Sequence, residues 1–349
     1  MGWLRCLTLA AAALAAGLSV MAAPAAPAAG APVTLRYTLW DANQRPLYQQ
    51  CADDFQKAHP GIRIRIQQQG WDDYWTTLST GLVAETAPDV FTNHLSKYPD
   101  LVANGQLVDL APYMQRDGVD LARYEPGLAT PWGRSGRQYG LPKDWDTVAL
   151  LVNLDHARAQ GVTLAELQAM HWNPQDGGSF GQVVARLTRD AAGRHALQPG
   201  FDKARVQVAG YQNPGPGGMS GQTEWGPFAV SAGFRYQAAP WDAALRFDDP
   251  ALAATIGWLA GLPGRGLSLP PQAVGKLGVE TLFATGRVAM VPAGAWMIGH
   301  YQRQLRMAYA WVPMPVGPGG ERASMRNGLA DSIWIGSRHR EAAWAWVRH

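Results

Sequence analysis

Residues 33–40, VTLRYTLW, alternate Val33, Leu35, Tyr37 and Leu39 with Thr34, Arg36, Thr38 and Trp40. That period of two predicts a strand with one face well buried. Leu47, Cys51, Phe55 and Ala58 then recur at helical spacing through NQRPLYQQCADDFQKAHP, and His59-Pro60-Gly61 stops the helix. GIRIRIQQQ supplies a second strand through Ile62, Ile64 and Ile66. Strand, helix of about 14 residues and strand make the β-α-β unit of a parallel sheet, which opens at the carboxyl ends of its strands. Trp40, Asp41, Asn43 and Gln44 stand at the first of those openings.

The pattern continues in the same alternating order. WDDYWTTLSTGLVA is helical with Tyr74, Leu78 and Leu82 on one side. Pro88-Asp89-Val90-Phe91 reads as a short buried strand that delivers Thr92, Asn93 and His94 to the same rim. A helix from Tyr98 to Asn104 ends at Gly105, and LVDLAPYM follows as a surface turn and short helix. TVALLVNLD is a near-continuous apolar strand from Thr147 to Leu154, suited to carrying the chain from one lobe to another. Thr163-Leu164-Ala165-Glu166 has the spacing of a capping box and starts a helix of the second lobe. Residues 173–224 are rich in Gly, Pro and Asn, and NPGPGGMSG reads as a flexible surface loop.

Further on, a helix near Pro250 carries Leu252, Ile256 and Leu259, and another runs from about Gln272 to Phe283. Arg287 to Val291 reads as a strand opening into PAGAW. Trp311-Val312-Pro313-Met314-Pro315 and Asp331-Ser332-Ile333-Trp334-Ile335 read as crossing or sheet-edge segments, and HREAAWAWVRH as a helix with Ala342, Ala343 and Trp346 inward. The predicted fold is α/β in two lobes. Residues 32–145 form the first, 146–310 mainly the second, and 311–349 the crossing segments and the start of a C-terminal helix.

Ahead of the first strand, MGWLR and the apolar run CLTLAAAALAAGLSVMAA lead into PAAPAAGAP. This order predicts a secretory signal peptide over residues 1–31, cleaved between about Ala22 and Ala31. An uncleaved anchor is the rival reading, because Cys6 to Ala23 is just long enough to span a bilayer. Cys6 precedes nearly all of the apolar run, so the product is expected to be free of lipid in a periplasm-like compartment. After cleavage Cys51 is the only thiol, no stable membrane insertion is expected, and the chain is expected to be a monomer. The net charge is +3 with Lys and Arg scattered, which argues against a nucleic-acid partner. The chain has 15 Trp against 8 Phe, where a core built for stability alone would favour Phe, Leu and Ile. Indoles offer flat apolar faces with a donor at the rim, and some are expected to line a ligand surface.

Other chemistry finds little support. The eight histidines have no close metal-ligand spacing, and Cys51 falls on the apolar side of its predicted helix. No G-x-S-x-G or P-loop pattern occurs. Neither metal nor cofactor is expected, and no residue is assigned a catalytic role.

Four segments together resemble the extracellular sugar-binding proteins of bacterial ATP-driven importers. They are the leader with VTLRYTLW; PDVFTNHLSKYPDLVANGQLVDLAPYM; YGLPKDWDTVALLVNLD; and FATGRVAMVPAGAW with the later EAAWAWV helix. The resemblance implies two α/β lobes joined by crossing segments. It further implies closure over a mono- or oligosaccharide and delivery to a membrane permease. Such proteins generally continue for several tens of residues beyond the helix near Arg340, so a shortened C-terminus is expected here.

A sugar has apolar C–H faces that lie on an indole and hydroxyls that need both donors and acceptors. Trp40 and Asp41 are the first candidates, with packing of Trp40 under the following helix as the plain alternative. Asn93 can donate and accept, or cap the next helix. Asp144, Trp145 and Asp146 precede the interlobe crossing that the resemblance implies. From the second lobe the candidates are Trp241, Gly294, Ala295 and Trp296, with core packing of Trp241 and a turn at Gly294 as the alternatives. Asn327 and Gly328 fall where the family brings another cleft loop, and Trp225 is a weaker candidate. Two alternatives stay open: a glycerol-phosphate or polyol cargo, for which Arg45 and Lys143 are the available cations, and a secreted carbohydrate-active enzyme using Asp144 and Asp146.

Overall fold

Strand β1 (Val33–Leu39) buries Leu35, Tyr37 and Leu39 to 1% exposure or less, as its alternation predicts. The computed structural model describes residues 32–349, so the leader and its cleavage site lie outside the described residues. β1 is flanked in parallel by β2 (Ile62–Gln68) and by β3 (Val90–His94), whose five residues are all buried. The sheet is completed by β4 (Leu141–Asp146) and by a strand from far down the chain, Asn327–Ile333, in the order β2-β1-β3-(327–333)-β4. That late strand pairs antiparallel with both neighbours, so Asp331–Ile333 lie inside the sheet rather than at its edge. Their near-complete burial gives the reason: Ala330, Ser332 and Ile333 are inaccessible to solvent.

Thr147 alone separates β4 from β5 (Val148–Asn153), the central strand of a second, three-stranded sheet. Its antiparallel neighbours are β6 (Met290–Gly294) and β7 (Tyr309–Val312). Val148, Leu150 and Val152 enter one core and Leu151 the core on the other face, which is why this strand is apolar without alternation. The chain returns to the first sheet through residues 313–326 and β8 (Asn327–Ile333). The two crossings are tied side by side. Ser324 Oγ lies 2.8 Å from Thr147 Oγ1, accepts from Val148 N at 3.0 Å and donates to Val148 O at 2.6 Å.

Helix α1 (Arg45–Ala58) corrects the expected inward face. Leu47 is 66% exposed and Cys51 is exposed, whereas Ala52 and Phe55 are buried and Tyr48 packs with them. Large rings decide the rotation. Trp346, on the final helix Arg340–Arg348, sets its ring 5.4 Å from Phe55 and 5.5 Å from Tyr37, so α1 turns toward that cluster. Ala343, Trp344 and Trp346 are the buried residues of the final helix. Helix α2 (Trp71–Val83) buries Tyr74, Leu78 and Leu82 as predicted. The helix expected from Gln272 to Phe283 is two, Pro271–Leu277 and Val279–Ala284, broken at Gly278, whose φ of 73° lies in the left-handed region. Among the described residues, no helix is long and apolar enough to cross a membrane.

Candidate ligand-binding cleft

The carboxyl ends of β1, β2 and β3 face the second sheet across a cavity of about 890 Å³, a size that suits a small molecule of one to several rings. The first wall carries Trp40, Asp41 and Gln44 after β1, Trp71 and Asp72 after β2, His94 as the last residue of β3, and Lys97 and Asp100 after it. Asp146 and Asn327, register partners at the crossing ends of β4 and β8, form its floor. The opposite wall is Trp296 with Met297 after β6, and the loop residues Pro214–Ser220 with Gln222–Glu224.

Trp40 is the hub of the first wall. Its ring stands edge-to-face with Trp71 at 5.0 Å and Tyr74 at 5.1 Å, and 5.7 Å from Trp75. These neighbours fix its orientation, and Trp71, 40% exposed, offers the ring open to a ligand. His94 lies 5.2 Å from Trp71, and its Nδ1 accepts from Ser96 N at 3.1 Å. Burial, with Lys97 nearby, pulls His94 down to about 4, so it is neutral at physiological pH. Across the cleft, Gly294 makes room for Trp296. A Cβ at position 294 would lie 2.1 Å from that indole, so the ring folds back over the glycine backbone. Gly294 therefore positions Trp296 and is not itself part of the cavity wall.

The acids of the floor crowd one another. Burial, with Asp144 and Asp41 nearby, pushes the Asp146 carboxyl up to about 6. Burial also raises Asp144, against the pull of Lys143 and a 3.0 Å hydrogen bond from Gln44 Nε2 to its Oδ2. Asp144 Oδ1 and Asn327 Oδ1 are buried with no hydrogen-bond partner among the described residues. Lys143 does not reach the cavity. Its Nζ donates to Thr92 Oγ1 at 2.6 Å and Tyr37 Oη at 2.9 Å, lies 3.2 Å from Asp331 Oδ1, and sits 4.2 Å above the Tyr48 ring. Burial raises the carboxyl of Glu224 on the far wall.

Of the thirteen candidates from the sequence, Trp40, Asp41, Asp146, Trp296 and Asn327 line the cavity, whereas Ala295 and Gly328 do not. Asp144 sits behind them through Gln44. Asn93 does not reach the cavity: it is fully buried, with Nδ2 donating to Ser332 Oγ at 3.1 Å and Oδ1 accepting from His94 N at 2.9 Å. It joins β3 to β8, because consecutive strand residues alternate faces and Asn93 points into the layer opposite the rim. Trp145 is 52% exposed and lies off the cavity on the same alternation. Trp241 is not a second-wall residue. Its ring stands 5.3 Å from Tyr98 in the first core and is capped by Arg134 at 4.5 Å. Trp225 is buried, donating Nε1 to Gly218 O at 3.3 Å, and its ring packs on Gly221 where a side chain would not fit. It therefore shapes the 214–224 loop, which is a wall of the cavity rather than a free surface loop.

Trp71, Lys97 and Glu224 are cavity residues that the sequence reading passed over. Trp71 was reachable by the rule that gave Trp40, since it follows the carboxyl end of the second strand. Glu224 sits in a Gly- and Pro-rich stretch with no periodic pattern to place it.

Against known proteins, a family profile described as bacterial extracellular solute-binding protein matches residues 50–349. The chain belongs to that family. No curated protein sequence matches it. Among solved structures it is similar to UspC of Mycobacterium tuberculosis, at 26% identity over 91% of this chain and 77% of that one, with a TM-score of 0.69. The binding protein Lmo0181 of Listeria monocytogenes, in complex with cycloalternan, aligns over 90% of this chain and 74% of its own at 19% identity and a TM-score of 0.75. A solute-binding protein of Thermotoga lettingae bound with α-D-tagatose aligns over 91% and 77% at 20% identity and a TM-score of 0.70. These likenesses carry the fold: two α/β lobes with a cleft between them. As an extracellular solute-binding protein the chain works outside the cytoplasm by binding rather than by catalysis.

Proposed function

We propose that the solute is a carbohydrate, captured between the lobes and handed to the permease of an ATP-driven importer. The observation that carries this reading is the set of three indoles on opposed walls, Trp71 with Trp40 on one and Trp296 on the other, with carboxylates and an amide between them. Rings of that kind suit the C–H faces of a pyranose, and Asp41, Asp146 and Asn327 supply acceptors and a donor for its hydroxyls. Relatives of the same fold were solved with cycloalternan and with α-D-tagatose. The thirteen residues chosen from sequence narrow to Trp40, Asp41, Asp146, Trp296 and Asn327, joined by Trp71 and Glu224.

A phosphorylated polyol is a poorer occupant. Lys143 is committed to Asp331, Tyr37 and Thr92, and Arg45 is exposed outside the cavity lining, which leaves Lys97 as the one lysine or arginine there among the described residues, against five carboxylates. Hydrolysis requires a carboxyl acid and base on either side of the scissile bond, and Asp144 is held behind the wall by Gln44. Isothermal titration against a panel of mono- and disaccharides together with glycerol 3-phosphate tests the reading. Heat from at least one sugar and none from glycerol 3-phosphate is expected; silence from every sugar overturns it. Residues 1–31 are proposed to be a cleaved, unlipidated export signal, and intact-mass measurement of protein secreted from its host should give a chain beginning between Ala22 and Ala31.

A further inference from the structure

We propose that residues 236–246 form a clasp between the lobes, in which Trp241 and Tyr236 position the far wall of the cleft without lining it. The clasp rests on the carbohydrate reading only for what the cleft holds. Both ends of the segment belong to the second lobe: Phe234 and Leu252 are buried in its core, and Tyr236 packs against that core. The tip does not. Trp241 packs against a first-lobe core, its ring 5.3 Å from Tyr98 and the Arg134 guanidinium 4.5 Å from its centre. Tyr98 stands between Lys97 and Asp100, both residues of the first wall.

The backbone at the tip is strained in favour of this ring. Asp242 N donates to Ala239 O at 3.2 Å, closing a turn with Pro240 and Trp241 at its centre, and Trp241 has a φ of 69°. Proline followed by a positive φ is the pattern of a type II turn, whose third position favours glycine. A bulky residue stays in the left-handed region only where its surroundings enforce it. Here those surroundings are Tyr98 and Arg134, and both belong to the other lobe. Gln237 Nε2 donates to Asp242 O, and Arg246 N donates to Tyr236 O at 2.9 Å, so the segment is a closed loop with a defined tip and base. At the base, Tyr236 Oη donates to the carbonyl of Ser220, a residue of the cavity wall. The Tyr236 ring also lies 5.7 Å from Trp225, which shapes residues 214–224. The clasp therefore runs from Tyr98 beside the first wall to Ser220 in the second. Seating of Trp241 and filling of the cleft favour the same closed arrangement, so each strengthens the other. The fraction of chains with the far wall in place then sets the apparent affinity.

Trp241→Gly removes the ring and gives the turn the residue it favours, so the loop keeps its shape while the clasp is released. Small-angle X-ray scattering of the whole chain without sugar should give this variant a larger radius of gyration than the native chain. Trp241→Phe, which keeps a ring between Tyr98 and Arg134, should restore most of the native value. Calorimetry with glucose, galactose, mannose, maltose and cellobiose supplies the second readout. Each of these that binds the native chain should bind Trp241→Gly about tenfold more weakly. Tyr236→Phe, which loses only the bond to Ser220, should weaken the same sugar by less. Adding Arg134→Ala to Trp241→Gly should cause little further loss, because the two side chains form one contact. Native scattering and native affinity in Trp241→Gly overturn the clasp and leave the carbohydrate reading standing. A weaker affinity that comes with a lowered melting transition and unchanged scattering makes Trp241 a core residue only, and overturns the clasp as well. No heat from any sugar with the native chain overturns the carbohydrate reading, and the scattering comparison then decides the clasp by itself.

Discussion

Asp146 shows how one side chain couples the cleft to the stability of the empty protein. Its carboxyl is raised to about 6 from an ordinary 3.8, so between those values the folded chain holds more proton than the unfolded one. Stability from this group is therefore fully present below about pH 4 and is lost as pH rises through about 6. Asp146→Asn removes the ionisation. The variant should be more stable than the native chain at pH 7 by on the order of 1 kcal/mol after discounting for solvent screening, or about 2 °C in Tm. The two should melt together at pH 4. Thermal unfolding at both pH values measures this, and a variant that melts lower at pH 7 contradicts it. Such a trade is expected of a residue kept for binding. At this scale the sequence was readable where a strand end coincides with a polar or aromatic residue, as at Trp40, Asp41 and Asp146. It misled at Asn93 and Trp145, because one step along a strand reverses the face and nothing local to those residues says which face meets the cleft.

At the scale of elements, the pair Lys143–Asp331 joins β4 to β8, strands separated by most of the second lobe in sequence. Both side chains are close to nine-tenths buried, and Tyr37 and Thr92 complete the hydrogen bonding. Removing one partner of such a pair leaves an uncompensated buried charge at a cost of about 3–5 kcal/mol. Lys143→Met should therefore lose that much in urea unfolding, and Lys143→Met with Asp331→Asn should recover most of it. Equal losses in the single and double variants would show that the pair does not act as a unit. Lys143 could be seen in the sequence only as a free cation near the cleft, since its partner lies in a strand nearly two hundred residues away. The same distance hid the place of β8. Its apolar residues suit an edge or an interior equally, and only pairing with β3 and β4 decides. Helices were more legible, because period alone gives their existence; the face of α1 was missed because the rings of Trp346 and Tyr37 that set it come from other elements.

The two main sheets of the molecule are joined where Thr147 and Ser324 hold two crossings together, and the neighbouring Asp146 and Asn327 line the cleft. A ligand closes such lobes only by contacts missing from the open form, and moving from about 1% to about 99% closed needs roughly 5.5 kcal/mol of differential affinity. Rings on opposite walls are suited to supply part of that, which places the weight of the account on Trp71 and Trp296. The two-lobed α/β plan was legible from strand and helix order, and so was the first wall. The second wall was half legible: Trp296 follows a readable strand, whereas the 214–224 loop takes its shape from Trp225, Gly217 and Gly221 rather than from any repeating pattern. The most direct measurement is the affinity of one carbohydrate for the native chain, Trp71→Ala and Trp296→Ala. A sandwich between the lobes predicts that each substitution weakens the same ligand by about tenfold or more, ~1.4 kcal/mol. Native affinity in both variants, with their melting transitions intact, would place the carbohydrate outside this cleft.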